Sequence, residues 1–197
     1  MKKTLITAVA VLVLSVAAAS QLAAAPKPAA RRAARAAGKS AHAKIADAMR
    51  AAPANISRGA MIMDWGATPD APMTMLRSGT NGWTCMPSSP EVGGGVGADP
   101  MCLDKSFMDW AGAWMSKKDP QVSGGGVAYM LRGDKGASNT DPFATGATPT
   151  NAWVVSPPHV MVIVSSPAQL EGISADPTNG GPWVMWKVSS SKCVTGV

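Results

Sequence analysis

His159 has the widest chemical reach of any residue in this chain. It is the only histidine beyond His42, and imidazole has an ordinary pKa near neutrality. In a cleft it would serve as a general base, with a carboxylate such as Asp141 or Asp64 and a nucleophile such as Ser138 or Ser156. The usual companions of that chemistry are missing. There is no G-x-S-x-G elbow and no His-rich zinc pattern. A lone histidine entering a strand after Pro157-Pro158 is more ordinarily a hydrogen-bonded structural residue.

Thioethers offer a second chemistry. The chain holds 13 methionines but only two phenylalanines and one tyrosine. Several fall two apart on expected strands, where i and i+2 share a face: Met61 with Met63, Met73 with Met75, and His159 with Met161. Thioether and imidazole together suit Cu(I), so Met63, Met75, His159 and Met161 form a candidate copper set. The plainer reading is that methionine fills irregular gaps in a core short of aromatic rings.

Oxygen ligands concentrate between Asp134 and Asp141 (DKGASNTD). They could hold Ca²⁺, but they lack the alternation of an EF-hand loop, and Asx-turns account for the same side chains. No close carboxylate pair of the glycosidase kind is present. Gly93-Gly94-Gly95 and Gly124-Gly125-Gly126 lack both the Lys-Ser/Thr of a P-loop and the spacing of a dinucleotide fingerprint, so both read as turns. No cofactor is therefore fixed by a motif.

The elements that would position these residues centre on residues 81–120. Phe107, Trp110 and Trp114, preceded by Leu103, recur at helical spacing, so one amphipathic helix is expected here. Asp99 suits its N-cap and Pro100 its first position, while Lys117, Lys118 and Pro120 mark its end. Cys85 and Cys102 lie seventeen positions apart, the second in the first turn of that helix. In an oxidising compartment they are expected to form a disulfide. Cys193 is left over, either free or able to exchange into that pairing.

Strands are expected at residues 60–65, 73–78, 82–86, 126–131, 159–165 and 182–188, with the second and third joined as a hairpin through Gly79-Thr80-Asn81. The fold class that follows is α+β: an antiparallel or mixed sheet of five or six strands with one main helix packed on it. The connections at 132–151 and 166–181 show no periodicity, and loops of that length are usually functional.

Charge separates the ends of the chain. The formal net charge is +6, yet residues 26–58 hold eight basic residues and one acidic residue, whereas 59–197 hold eight basic and eleven acidic. The basic character belongs to an Ala-rich arm at 26–58, expected to be a solvated linker or an electrostatic tether to an anionic membrane or polymer surface. Nucleic acid is not an expected partner, because the arm carries no interleaved aromatics. Ahead of it, residues 1–25 have the form of a Sec signal peptide: Lys2 and Lys3, an apolar run, then small residues. The run is short of the ~20 residues that span a bilayer. The expected location is the periplasm or the cell exterior, with a single domain at 59–197.

The stretches NGWTCMP (81–87), DPMCLDK (99–105), SNTDPFAT (138–145), PPHVM (157–161) and GGPWVMW (180–186) resemble those of small secreted bacterial proteins filed as hypothetical. The resemblance spans most of residues 60–186. It implies one compact domain and brings no activity, cofactor or catalytic residue with it.

Three functions follow as expectations. The first is a non-enzymatic periplasmic binding or interaction module, with Trp65 or Trp153 facing the ligand. The second is copper handling by the Met/His set. The third is a small hydrolase built on His159.

Overall fold

The computed structural model describes residues 40–68, 71–89, 99–118, 120, 124–188 and 192–196. Residues 1–39, which include the expected signal peptide and the first part of the arm, and Gly93-Gly94-Gly95 lie outside the described residues. Within them no helix is long and apolar enough to cross a membrane.

The fold is α+β around one mixed sheet. Among the described residues ten strands are present: β1 (Met61–Asp64), β2 (Thr74–Arg77), β3 (Thr84–Met86), β4 (Met101–Leu103), β5 (Gly126–Met130), β6 (Ala137–Ser138), β7 (Trp153–Val154), β8 (His159–Val164), β9 (Trp183–Val188) and β10 (Lys192–Gly196). Eight form the main sheet in the order β2-β1-β3-β4-β5-β8-β10-β9. Among the strand pairs of this sheet in the described residues, β1 and β3 run parallel and the others antiparallel. All six expected strands are there, and β4 and β10 join them.

Two local expectations are corrected. The hairpin between the second and third strands does not form, because β1 inserts between β2 and β3. The main helix, α3 (Lys105–Met115), begins later than expected, with Asp104 as its N-cap accepting from the Phe107 backbone N–H at 2.7 Å. Asp99 and Pro100 instead lead into β4, so Cys102 is a strand residue. Leu103 belongs to the same apolar cluster as Phe107 and Trp110, but from a strand. That shared destination is why it extends the helical stripe in the sequence.

Cys85 and Cys102 are directly registered across β3 and β4 and are bonded, with Cα atoms 4.0 Å apart. In the chain-entropy account, closing a loop of this length stabilises the fold by about 3 kcal/mol.

The sheet buries both faces. On one, α3 packs over Met86, Leu103, Ala128 and Ile163. Gly126 lets it come close: a Cβ there would sit 2.8 Å from the Phe107 backbone nitrogen. Asp104 fastens the same corner, its second carboxylate oxygen accepting from the Val127 N–H at 2.8 Å.

The other face is covered by the arm. Residues 40–48 are helical (α1), a 3₁₀ turn follows at Met49–Ala51, and α2 spans Ala54–Ser57. Ala48, Ala51 and Ala60 are fully buried against Ile62, Cys85 and Cys102. Polar ties reinforce the seal. Lys44 reaches Asp64 at 2.6 Å, and Arg77 donates to the Ser57 and Ala60 carbonyls at 2.6 and 2.7 Å. Packing therefore begins well ahead of residue 59. Alanine makes it possible, since side chains this small let a helix backbone lie close on a sheet.

Candidate functional site

On the α3 face a cavity of about 520 Å³ opens between α3, the ends of β4, β5, β8 and β9, and the loops at 134–137, 154–158 and 177–181. Its walls are mostly apolar: Met101, Leu103, Phe107, Trp110, Trp114, Met161, Trp183 and Trp186 contribute. Polar groups enter from Asp99, Asp134, Lys135, Ser156 and His159. The size and composition match a small-molecule site.

One wall is a tryptophan stack. Trp110 and Trp114 lie on successive turns of α3, with ring centroids 5.9 Å apart and planes 8° from parallel. Trp186 of β9 stacks on both, at 6.4 and 6.0 Å. It is held by its own indole N–H, which donates to the Ser138 carbonyl at 2.9 Å. Phe143 covers the far side of Trp114 at 5.6 Å. The indole N–H groups of Trp110 and Trp114 are buried and have no hydrogen-bond partner. Each unmet donor costs about 1–3 kcal/mol, so this wall holds unused hydrogen-bonding capacity.

The polar corner is built on Asp134 and His159. Asp134 Oδ1 accepts from the Gly136 N–H at 2.9 Å and the Ser156 N–H at 2.8 Å. This fastens the 134–136 turn to the segment leading into β8. Gly136 is required there: its φ is +104°, and a Cβ would overlap the Trp153 indole. His159 Nδ1 lies 2.7 Å from the Pro157 carbonyl oxygen. A carbonyl only accepts, so Nδ1 carries the hydrogen. His159 Nε2 is then turned toward Asp134 Oδ2, 3.9 Å away. Both side chains are largely covered, at 10% and 16% exposed.

Asp99 joins the cavity from the start of β4. Its Oδ1 accepts from the Ser89 N–H at 3.0 Å, and its backbone N–H donates to Ser88 Oγ at 3.1 Å. Ser88 in turn donates through its N–H and its hydroxyl to Asp47 of α1, at 2.9 and 2.8 Å. A polar thread thus runs from the arm, past the ends of β3 and β4, to the cavity. Burial raises the pKa of Asp99, against the lowering effect of the Ser89 hydrogen bond and with a further push from the Asp134 charge.

The candidate residues separate into two places. His159 and Met161 both line the cavity. Met63 and Met75 face each other across β1 and β2, with Met75 57% exposed. Four strand positions separate β1 from β8, or roughly 19 Å at ~4.8 Å per strand. The four members of the copper set are not brought to one site. Met63 and Met73 instead pack against the α3 core cluster.

Three of the four partners considered for His159 are engaged elsewhere. Asp64 pairs with Lys44, and Asp141 accepts from the Phe143 N–H at 2.9 Å in an exposed turn. Ser138 is 1% exposed. Its hydroxyl donates to the Asn151 carbonyl and accepts from the Thr140 and Asp141 N–H groups. Ser156 lines the same cavity as His159. The carboxylate beside the ring is Asp134, seen in the sequence only as a loop oxygen.

The oxygens of the 134–141 loop cap turns and strand ends rather than converge. Among the described residues, no group of three or more His, Cys, Asp or Glu could hold a metal ion. Trp65 and Trp153 each spend their indole N–H on a backbone carbonyl, of Pro87 and Lys135 respectively, and neither lines the cavity. The tryptophans that do are Trp110, Trp114, Trp183 and Trp186, the first two on the stripe that marks the helix in the sequence.

No family model, curated protein or solved structure matches this chain.

Proposed function

We propose that this is an exported, non-enzymatic binding protein whose cavity takes a small, largely apolar ligand. One observation carries the reading: a cavity of about 520 Å³ walled by tryptophan, phenylalanine and methionine, with a few polar groups gathered at Asp134 and His159. Apolar walls supply affinity, and a small polar set supplies orientation. Export rests on the leader-like residues 1–25 and fits the Cys85–Cys102 disulfide, since such bonds persist in oxidising compartments. The test is a fragment screen by thermal shift on the protein and on Ala111→Phe, which fills the cavity from α3. Fragments that stabilise the protein should lose at least about tenfold in affinity in the variant, near 1.4 kcal/mol. Equal binding to both proteins would place the ligand elsewhere.

A hydrolase is the second reading, favoured by Ser156 sharing the cavity with His159. It predicts turnover of a p-nitrophenyl ester that is abolished by both Ser156→Ala and His159→Ala.

A further inference from the structure

We propose that the ligand is a hydrophobic primary amine, its ammonium seated between Asp134 and His159 and its aryl or alkyl body along the tryptophan wall. The inference rests on the binding reading above and names the chemical class.

The argument is one of hydrogens. His159 Nδ1 is occupied by the Pro157 carbonyl, so Nε2 of the neutral ring presents a lone pair. Asp134 Oδ1 is occupied by two backbone N–H groups, so Oδ2 holds the remaining accepting capacity. These two acceptors stand 3.9 Å apart, too far for a hydrogen bond to each other. A donor atom at about 2.8 Å from both would see them at an angle of roughly 90°. One hydroxyl has a single hydrogen and serves one acceptor. An ammonium has three and serves both.

Charge points the same way. The cavity lining holds two carboxylates, Asp99 and Asp134, against the single cation Lys135. A carboxylate ligand would meet like charge. Among the described residues, a metal ion in the gap would find two His or carboxylate ligands, short of the three or four that zinc sites use.

Isothermal titration separates these cases with three probes of like size: 3-phenylpropylamine, 3-phenylpropanol and 4-phenylbutyrate. The amine should bind about tenfold more tightly than the alcohol, and the acid most weakly. Asp134→Asn keeps an oxygen for the Gly136 and Ser156 N–H groups but turns a donor toward the gap. It should abolish the amine's advantage while leaving the alcohol's affinity within about threefold. Equal affinities, or a preference for the acid, would overturn the amine assignment and leave the cavity reading standing. If none of the three binds while fragments do, the amine assignment alone falls. If nothing binds at all, both readings fall. Stabilisation by Zn²⁺ or Cu(I) that is lost in His159→Ala would replace the amine with a metal.

Discussion

Asp134 Oδ2 and His159 Nε2 face each other across 3.9 Å at the wall of an apolar cavity, while the other polar atom of each side chain is bound to backbone. Each side chain is therefore held by the backbone through one polar atom and turns the other toward its neighbour. The 134–136 turn and the Pro157 carbonyl orient the two side chains; the two remaining acceptors are what a ligand would meet.

The disulfide should account for a measurable share of stability. Replacing both Cys85 and Cys102 by alanine should cost about 3 kcal/mol, which lowers Tm by roughly 6–12 °C in a domain of this size. Thermal unfolding with and without reductant checks it: reductant should lower the wild-type Tm toward the variant's and leave the variant's unchanged.

The arm should behave as part of the core. Ala48 is fully buried against the sheet, so Ala48→Asp should cost roughly 3–5 kcal/mol, the penalty of an unpaired buried charge. A chain beginning at Gly59 would leave Ile62, Cys85 and Cys102 uncovered and should lose cooperative unfolding in urea. A sharp, wild-type-like transition for that truncation would return the arm to the role of a linker.

Asp47 ties α1 to the cavity side of the sheet. Asp47→Ala removes the acceptor for the Ser88 N–H and hydroxyl and should cost about 1–3 kcal/mol, read as a lower urea midpoint with an unchanged m-value. The conservative Asp47→Asn keeps an acceptor oxygen and should recover part of the loss.

Asp99 carries a pH signature. Its folded pKa is raised, chiefly by burial, so between the ordinary carboxylate value and that raised value the native state binds more protons than the unfolded state. Stability then falls as pH rises through that window. Asp99→Asn retains an oxygen for the Ser89 N–H and removes the charge. The variant should melt above wild type at pH 7, with the gain shrinking toward pH 4. A gain equal at both pH values would mean that Asp99 ionisation is not its cause.

Much of this architecture is legible in the residues, and the misses have physical causes. Phe107, Trp110 and Trp114 mark α3 because a helix that packs on one face must repeat at 3.6 residues. Leu103 continues that spacing from a strand, and nothing local separates the two cases. β2 lacks its expected partner because pairing with β1 is decided by long-range packing, which outweighs a turn signal at Gly79-Thr80-Asn81. The arm reads as a solvated linker because alanine contributes little to an apolar pattern. Ile45, Ala48 and Met49 are nonetheless the side that meets the sheet. The cavity is the least legible feature. Asp134 and His159 lie 25 positions apart, in a turn and a strand, and only the tertiary fold makes them neighbours.

The central claim is that the cavity beneath α3 is where a small ligand binds. The most direct measurement follows the indole ¹⁵N–H resonances of the seven tryptophans while the best-binding fragment is titrated into the protein. The account predicts that Trp110, Trp114 and Trp186 shift together along one saturable curve, while Trp65 and Trp83, away from the cavity, stay in place. Shifts confined to Trp65 or Trp83, with Trp110, Trp114 and Trp186 unmoved at saturation, would contradict it.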